Sequence, residues 1–278
     1  MGQAFPLIGV FDSGVGGLSV WREIVRLIPD APLTYLADQA HVPYGERSLD
    51  EVRALTLRAA GWLIARGCRV VVIACNTASA AALEALRATF PTTPFVGMEP
   101  AIKPAALHTR TGVVGVLATP TTLRSARYAS LVSRWGRDLH IIEQPCLGWV
   151  EAVERMQSQV GSAEDAELRR LVGDCVMPLL AQDADTLVLG CTHFPFLRPW
   201  IEQAISAWQA AHPVAHAVTV FDPAPAVARR TRQVWLELTL SADGTPAREF
   251  WTTGSAGRFA QVASVLLGYP VPARLLTL

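Results

Sequence analysis

Two cysteines sit in matching surroundings. In "RVVVIACNTASAAAL" and "DTLVLGCTHFPFL" an apolar run passes through a small residue to Cys75 or Cys191, with a threonine within the next two positions and 116 residues between the thiols. A parallel strand presents its carboxyl end to a ligand, and the helix that follows adds unpaired N–H groups and the positive end of its dipole. That setting is expected to pull each thiol below its ordinary value of about 8.5, making it a base or, protonated, an acid near neutral pH. If the two thiols face each other across a cleft, one removes a proton from one face of a carbon while the other delivers a proton to the opposite face. The centre is then inverted. Because acid and base need opposite protonation states, the pair should titrate jointly and give a bell-shaped rate profile.

Other polar residues cluster near the ends of predicted strands. "GVFDSGVGGLSV" puts Asp12 and Ser13 in a glycine turn, able to pair with a small ligand's ammonium and carboxylate. It has neither the Gly-Lys-Ser/Thr of a P-loop nor the third glycine of a dinucleotide fingerprint, since Ser19 stands there. In "ADQAHVPYGERS", the Pro43-Tyr44-Gly45 stretch can offer the backbone N–H groups of Tyr44 and Gly45 to a carboxylate or make a plain turn. His193, two residues after Cys191, is placed to polarise that thiol. Cys75, Cys191 and His193 match no zinc spacing, so no metal is expected, and no G-x-S-x-G elbow marks a hydrolase. Cys68, Cys146 and Cys175 lack the strand-end setting and read as packing residues; without a CxxC pair, all five cysteines are expected to be reduced.

The elements that must position these groups alternate. Strands are expected at Leu7–Phe11, Leu33–Ala37, Val70–Ala74, Phe95–Gly97, Val113–Leu117, His140–Glu143, Thr186–Leu189 and Val218–Phe221, with helical periodicity between them, as in Leu49–Arg66. Such βα alternation gives parallel sheets flanked by helices. The repeated cysteine motif suggests a duplicated half, so the expected fold is α/β with two pseudo-symmetric lobes and a site in the cleft between them.

Composition narrows the class. The 278 residues are 51% hydrophobic, with 24 basic and 24 acidic side chains, so no bulk field draws the chain to nucleic acid or an anionic membrane. The first residues, "MGQAFPLIGVFDSG", show no secretory signal, and no apolar run has the length of a membrane span. A cytoplasmic protein is expected.

Together "IGVFDSGVGGLSV", "YLADQAHVPYGERS", "VVIACNTASAAALEALR", "VGMEPAIKPA", "LGCTHFPFL" and "FWTTGSAGRFAQVASVLLG" resemble the bacterial glutamate racemases, a branch of the aspartate/glutamate racemase superfamily, from about Leu7 to Gly268. His193 after Cys191-Thr192 points to the glutamate branch. The resemblance implies a cofactor-independent interconversion of L- and D-glutamate that supplies D-glutamate for peptidoglycan, and it is compatible with a homodimer. It implies Cys75 as the base for the D enantiomer and Cys191 for the L enantiomer. Asp12, Ser13, Tyr44, Gly45, Asn76, Thr77, Thr192 and His193 match substrate-binding positions, with Asp12 and His193 assisting the neighbouring thiols. Thr119 and Thr122 match a contact to the substrate carboxylate. The resemblance implies that the C-terminal segment completes the first lobe, so the chain is expected to divide into residues 1–98 plus 210–278 for one lobe and 99–209 for the other. Phe194 departs from a common tyrosine, and "PCLGWVEAVE" departs from the usual pattern, which leaves the cleft wall around Glu151 open. With only a handful of residues before the first strand, the extension of precursor-activated members is not expected. Two other readings stay open here: another enzyme of the superfamily, acting on aspartate or a hydantoin or decarboxylating with one cysteine, and a non-catalytic protein that closes on an amino acid.

Overall fold

A strand buried on both faces reads as a continuous apolar run, and the two sheets of this protein are built from such runs. The structure, a computed structural model, describes residues 7–157, 165–213, 216–238 and 247–277. The first six residues, on which part of the N-terminal reading rests, lie outside the described residues. The strands are β1 (Leu7–Asp12), β2 (Leu33–Ala37), β3 (Cys68–Ile73), β4 (Phe95–Gly97), β5 (Val113–Ala118), β6 (His140–Pro145), β7 (Thr186–Leu189), β8 (Thr219–Phe221), β9 (Arg248–Thr252) and β10 (Arg274–Leu275). Between them lie α1 (Leu18–Leu27), α2 (Leu49–Ala65), α3 (Asn76–Thr89), α4 (Ile102–His108), α5 (Pro120–Leu123), α6 (Ala126–Trp135), α7 (Trp149–Glu154), α8 (Asp165–Leu180), α9 (Arg198–Ala211), α10 (Ala224–Glu237) and α11 (Ala256–Leu267).

One sheet runs β10-β9-β2-β1-β3-β4 and the other β6-β5-β7-β8, every neighbour parallel. Set β9 and β10 aside and the two orders coincide, with β1 matching β5, β2 matching β6, β3 matching β7 and β4 matching β8. Cys75 follows β3 and Cys191 follows β7, so the repeated motif falls on equivalent strands. The C-terminal β9 joins β2 in register, Tyr35 opposite Phe250, and thereby extends the first sheet. β8 pairs with β7, Val188 opposite Phe221, as the last strand of the second sheet.

Alternation within the strands splits the core. Ile8 and Val10 of β1, Val70 and Val72 of β3, and Leu187 and Leu189 of β7 point into one large cluster that also holds Trp21, Trp149 and Phe194, so apolar packing is continuous from one sheet to the other. Val71 and Ile73 face a second cluster with α2 and α3, and Val114, Val116 and Val188 face a third with Ile102 and Tyr128. Serine caps begin several helices: the Ser48 hydroxyl accepts from Glu51 N–H at 3.3 Å at α2, and Ser255 accepts from Arg258 N–H at 3.3 Å at α11. No helix among the described residues is long and apolar enough to cross a membrane.

Candidate active site

Strand ends from both sheets meet at one small enclosed cavity. Ser13, Tyr44, Gly45, Cys75, Asn76 and Thr77 line it from the first sheet's side; Thr119, Thr122, Val150, Cys191, Thr192 and His193 line it from the second. The site residues expected from sequence, Thr119 and Thr122 included, all come to this place except Asp12, which is wholly buried and does not line the cavity.

On the first side, Cys75 is the N-cap of α3, its Sγ accepting from Ala78 N–H at 3.4 Å, with Ser13 Oγ 3.9 Å away. Neither polar atom of the buried Asn76 amide has a hydrogen-bond partner among the described residues. Buried amides left so are costly, by about 1–3 kcal/mol per group, and at a cavity wall they mark groups waiting for a ligand. Thr77 Oγ1 stands 3.4 Å from Thr119 Oγ1 and 3.3 Å from Thr122 Oγ1, a hydroxyl cluster that crosses between the sheets. The Thr121 hydroxyl, unnoticed in the sequence, donates to the Gly45 carbonyl. Tyr44 O–H donates to Asp38 at 2.6 Å, so this segment has backbone rather than phenol to offer a ligand.

The second side carries a relay. The His193 ring lies with Nδ1 3.6 Å from Cys191 Sγ and Nε2 2.8 Å from Glu154 Oε1. Glu154 Oε1 also accepts from Val15 N–H at 2.7 Å, and Oε2 from the Gln39 amide at 2.7 Å. Thr192 Oγ1 donates to Asp12 at 3.2 Å, and Ser19 Oγ donates to the Thr192 carbonyl at 3.0 Å. Glycines permit this approach: a Cβ on Gly14 would stand 1.8 Å from Glu154 Oε1, and one on Gly16 would stand 2.3 Å from His193 Nδ1.

Burial would lower His193, yet its hydrogen bonds to Cys191 and Glu154 and their charges hold it well above an ordinary imidazole, which favours the protonated ring. Burial alone would raise Glu154, but the His193 hydrogen bond and charge, with the Gln39 amide and Val15 N–H, hold it below the usual carboxylate range. Asp12 goes the other way: burial lifts it to about 6 against the opposing pull of His193 and Gly14 N–H.

Two expectations need correction. Burial pushes the Cys75 thiol up, with the Asp12 charge adding to it, and this outweighs the N–H of Ala78; the helix start does not leave Cys75 a thiolate. Cys191 is not at a helix start at all. A turn and a 3-10 segment, Phe194–Leu197, separate it from α9, whose first turn holds Pro199. Glu154 was missed although a sequence signal existed: Val150 and Glu154 are four apart on α7, so they share a face. Cys68, Cys146 and Cys175 are buried free thiols within the apolar clusters.

A scan against family models matches residues 8–231 to Asp/Glu/Hydantoin racemase. A glutamate racemase from Pseudomonas entomophila is 48% identical over 268 residues, 96% of each chain, and one from Roseiflexus is 49% identical over 267 residues, 94% of this chain and 92% of its own. Among solved structures, the glutamate racemase isoform RacE1 of Bacillus anthracis superposes with a TM-score of 0.81 at 32% identity, covering 98% of this chain and 97% of that one. The Escherichia coli glutamate racemase, solved with L-glutamate and an activator, gives 0.78 at 32% identity and 97% coverage of each. The chain therefore belongs to the Asp/Glu/Hydantoin racemase family.

Proposed function

We propose that this protein interconverts L- and D-glutamate by two thiols, without a cofactor. The observation that carries the reading is the convergence of Cys75 and Cys191, from equivalent strands of two sheets, on one cavity walled by hydroxyls, amides and the His193 imidazolium. The α-proton of an amino acid is a very weak acid, so the carbanion formed must be stabilised by fixed donors in a water-excluded site. Asn76, Thr77, Thr119, Thr122 and Ser13 are the donors at hand. In the L-to-D direction the Cys191 thiolate takes the α-proton, the electron pair stays on Cα and its carboxylate, and the Cys75 thiol delivers its proton to the opposite face. D-glutamate leaves with Cys75 as thiolate and Cys191 as thiol, the state ready for the reverse reaction. The resting arrangement suits L-glutamate, since burial favours the thiol at Cys75 and the His193 cation stands beside Cys191.

The residues also speak against a pyridoxal Schiff base. The single lysine of the chain, Lys103, lies on α4 with its ammonium 4.6 Å from the Trp135 ring centroid and does not line the cavity. With about 20 Å³ enclosed, room for about one water, the lobes stand closed, and glutamate enters when they part. The product supplies D-glutamate for peptidoglycan in the cytoplasm.

Incubation with L-glutamate in deuterium oxide should place deuterium at Cα and yield D-glutamate, whereas Cys75→Ser and Cys191→Ser should each abolish racemisation. Binding without exchange would make the protein an amino-acid receptor instead, and faster turnover of aspartate would move it to another branch of the family.

A further inference from the structure

We propose that Gln39 is a positioning residue for the Cys191 half of the site, locking the Glu154 carboxylate that holds His193 against the thiol. Gln39 lies in the loop after β2, on the opposite side of the cleft from Glu154, and its Nε2 donates to Glu154 Oε2 at 2.7 Å. No other bond to Oε2 is seen among the described residues, whereas Oε1 already takes Val15 N–H and His193 Nε2–H.

The amide cannot turn over. Its Oε1 accepts from Thr252 Oγ1 at 3.0 Å, and that hydroxyl oxygen accepts Gly254 N–H at 3.1 Å, which leaves the Thr252 proton for Gln39 and the Gln39 NH₂ for Glu154. A chain of hydrogen bonds thus runs from the end of β9 through Gln39, Glu154 and His193 to Cys191 Sγ. A carboxylate fixed at both oxygens keeps its negative charge and its distance from the imidazolium; one fixed at a single oxygen can rotate, and charge-assisted bonds of this kind are strongly dependent on geometry. The charged and titratable groups that face this relay are Asp12, Tyr35 and Cys75 from the first sheet's side, Cys146 from the second, and Glu151, Arg155 and Arg258 around the cavity shared by Gln39 and Glu154.

The inference rests on the racemase reading, and the experiment separates the two. The parent protein is first assayed for conversion of each glutamate enantiomer by circular dichroism; failure there removes the racemase reading itself. Gln39→Met keeps the length of the side chain and removes the donor. It should lower kcat/KM about tenfold. Enantiomers have equal free energies, so kcat/KM must fall equally in both directions, while kcat and KM can divide the loss differently. The acid limb of the pH profile should move to higher pH, because Glu154 then takes a proton more readily. Thr252→Val, which frees the Gln39 amide without touching Glu154, should move that limb the same way by less. In a Glu154→Gln background, Gln39→Met should add no further loss. A parent-like pH profile in Gln39→Met, or additive losses with Glu154→Gln, would overturn the proposal. Thr252→Val decides by the same pH criterion if Gln39→Met does not fold.

Discussion

Gly16→Ala is the sharpest perturbation the site allows. An added Cβ would stand 2.3 Å from His193 Nδ1 and 2.6 Å from both His193 Cε1 and Thr192 Oγ1, where ordinary contacts begin near 3.4 Å. The backbone at Gly16 is outside the left-handed region, so alanine carries no conformational penalty there and the effect is one of space. Retreat by about an ångström is needed, yet His193 is held through both ring nitrogens and Thr192 through Asp12. Overpacking of this kind costs about 1–3 kcal/mol. For a chain of this size that lowers the melting temperature by about 2–12 °C. Displacing the imidazolium from Cys191 by about 1 Å should cost about 100-fold in kcat/KM. Gly257→Ala is the control: it lies on the exposed face of α11 with nothing within 4 Å of its would-be Cβ, so it should stabilise by about 0.5–1 kcal/mol and leave turnover unchanged. Thermal melts and circular-dichroism assays on both variants measure the contrast. A Gly16→Ala protein with parent-like kcat/KM would refute the claim that the two lobes press His193 into place.

Two further outcomes follow from the contacts between the lobes. Asp12 binds its proton more tightly when folded than its reference value of 3.8, at about 6, so its contribution to stability falls as pH rises through that window and is recovered on acidification; the span corresponds to about 3 kcal/mol. Melting temperatures of the parent and Asp12→Asn, measured from pH 7 to pH 5, should therefore show the parent gaining relative to the variant, and parallel curves would contradict the burial argument. Thr121→Val removes the hydroxyl that donates to the Gly45 carbonyl and strands that buried acceptor only when the lobes are together. The closed state should lose about 1–3 kcal/mol, raising KM about tenfold with kcat changed far less, and an unaltered KM would show that this contact does not hold the cleft shut.

What could be read from sequence and what could not divide along a physical line. β1, β3, β5 and β7 are legible because a parallel strand covered on both faces needs apolar residues at nearly every position, and the cysteines are legible because strand ends are where such sheets bind. β9 and β10 are not, since "REFWT" begins on charged residues and Arg274–Leu275 is two residues long; both exist through pairing with distant partners, Arg248 with Leu33 and Arg274 with Trp251. The helix expected directly after Cys191 is delayed by "HFPFLRP", whose prolines tolerate only a first turn, so α9 begins at Arg198. The protonation of Cys75 was misread because a helix start is local while desolvation depends on everything the chain brings around the thiol.

The same distinction explains why every expected site residue but Asp12 reaches the cavity wall while the sequence does not reveal the groups that tune them. Glu154 acts on Val15 from 139 residues away, and Gln39 on Glu154 from 115. No periodicity within one lobe can encode a partner in the other. The thiols belong to their own strands, while the hydrogen bonds that hold the Glu154 carboxylate in place come from Val15 and Gln39 across the cleft. A parting of the two sides would separate Glu154 from Val15 and Gln39 while leaving it beside His193, both on the second side. Closure then restores the carboxylate's hydrogen bonds at the moment the substrate is sealed from water. On this geometry closing the cleft adds the Val15 and Gln39 hydrogen bonds to a carboxylate already paired with His193, so the relay to Cys191 is completed by the same motion that shields the reacting carbon from water.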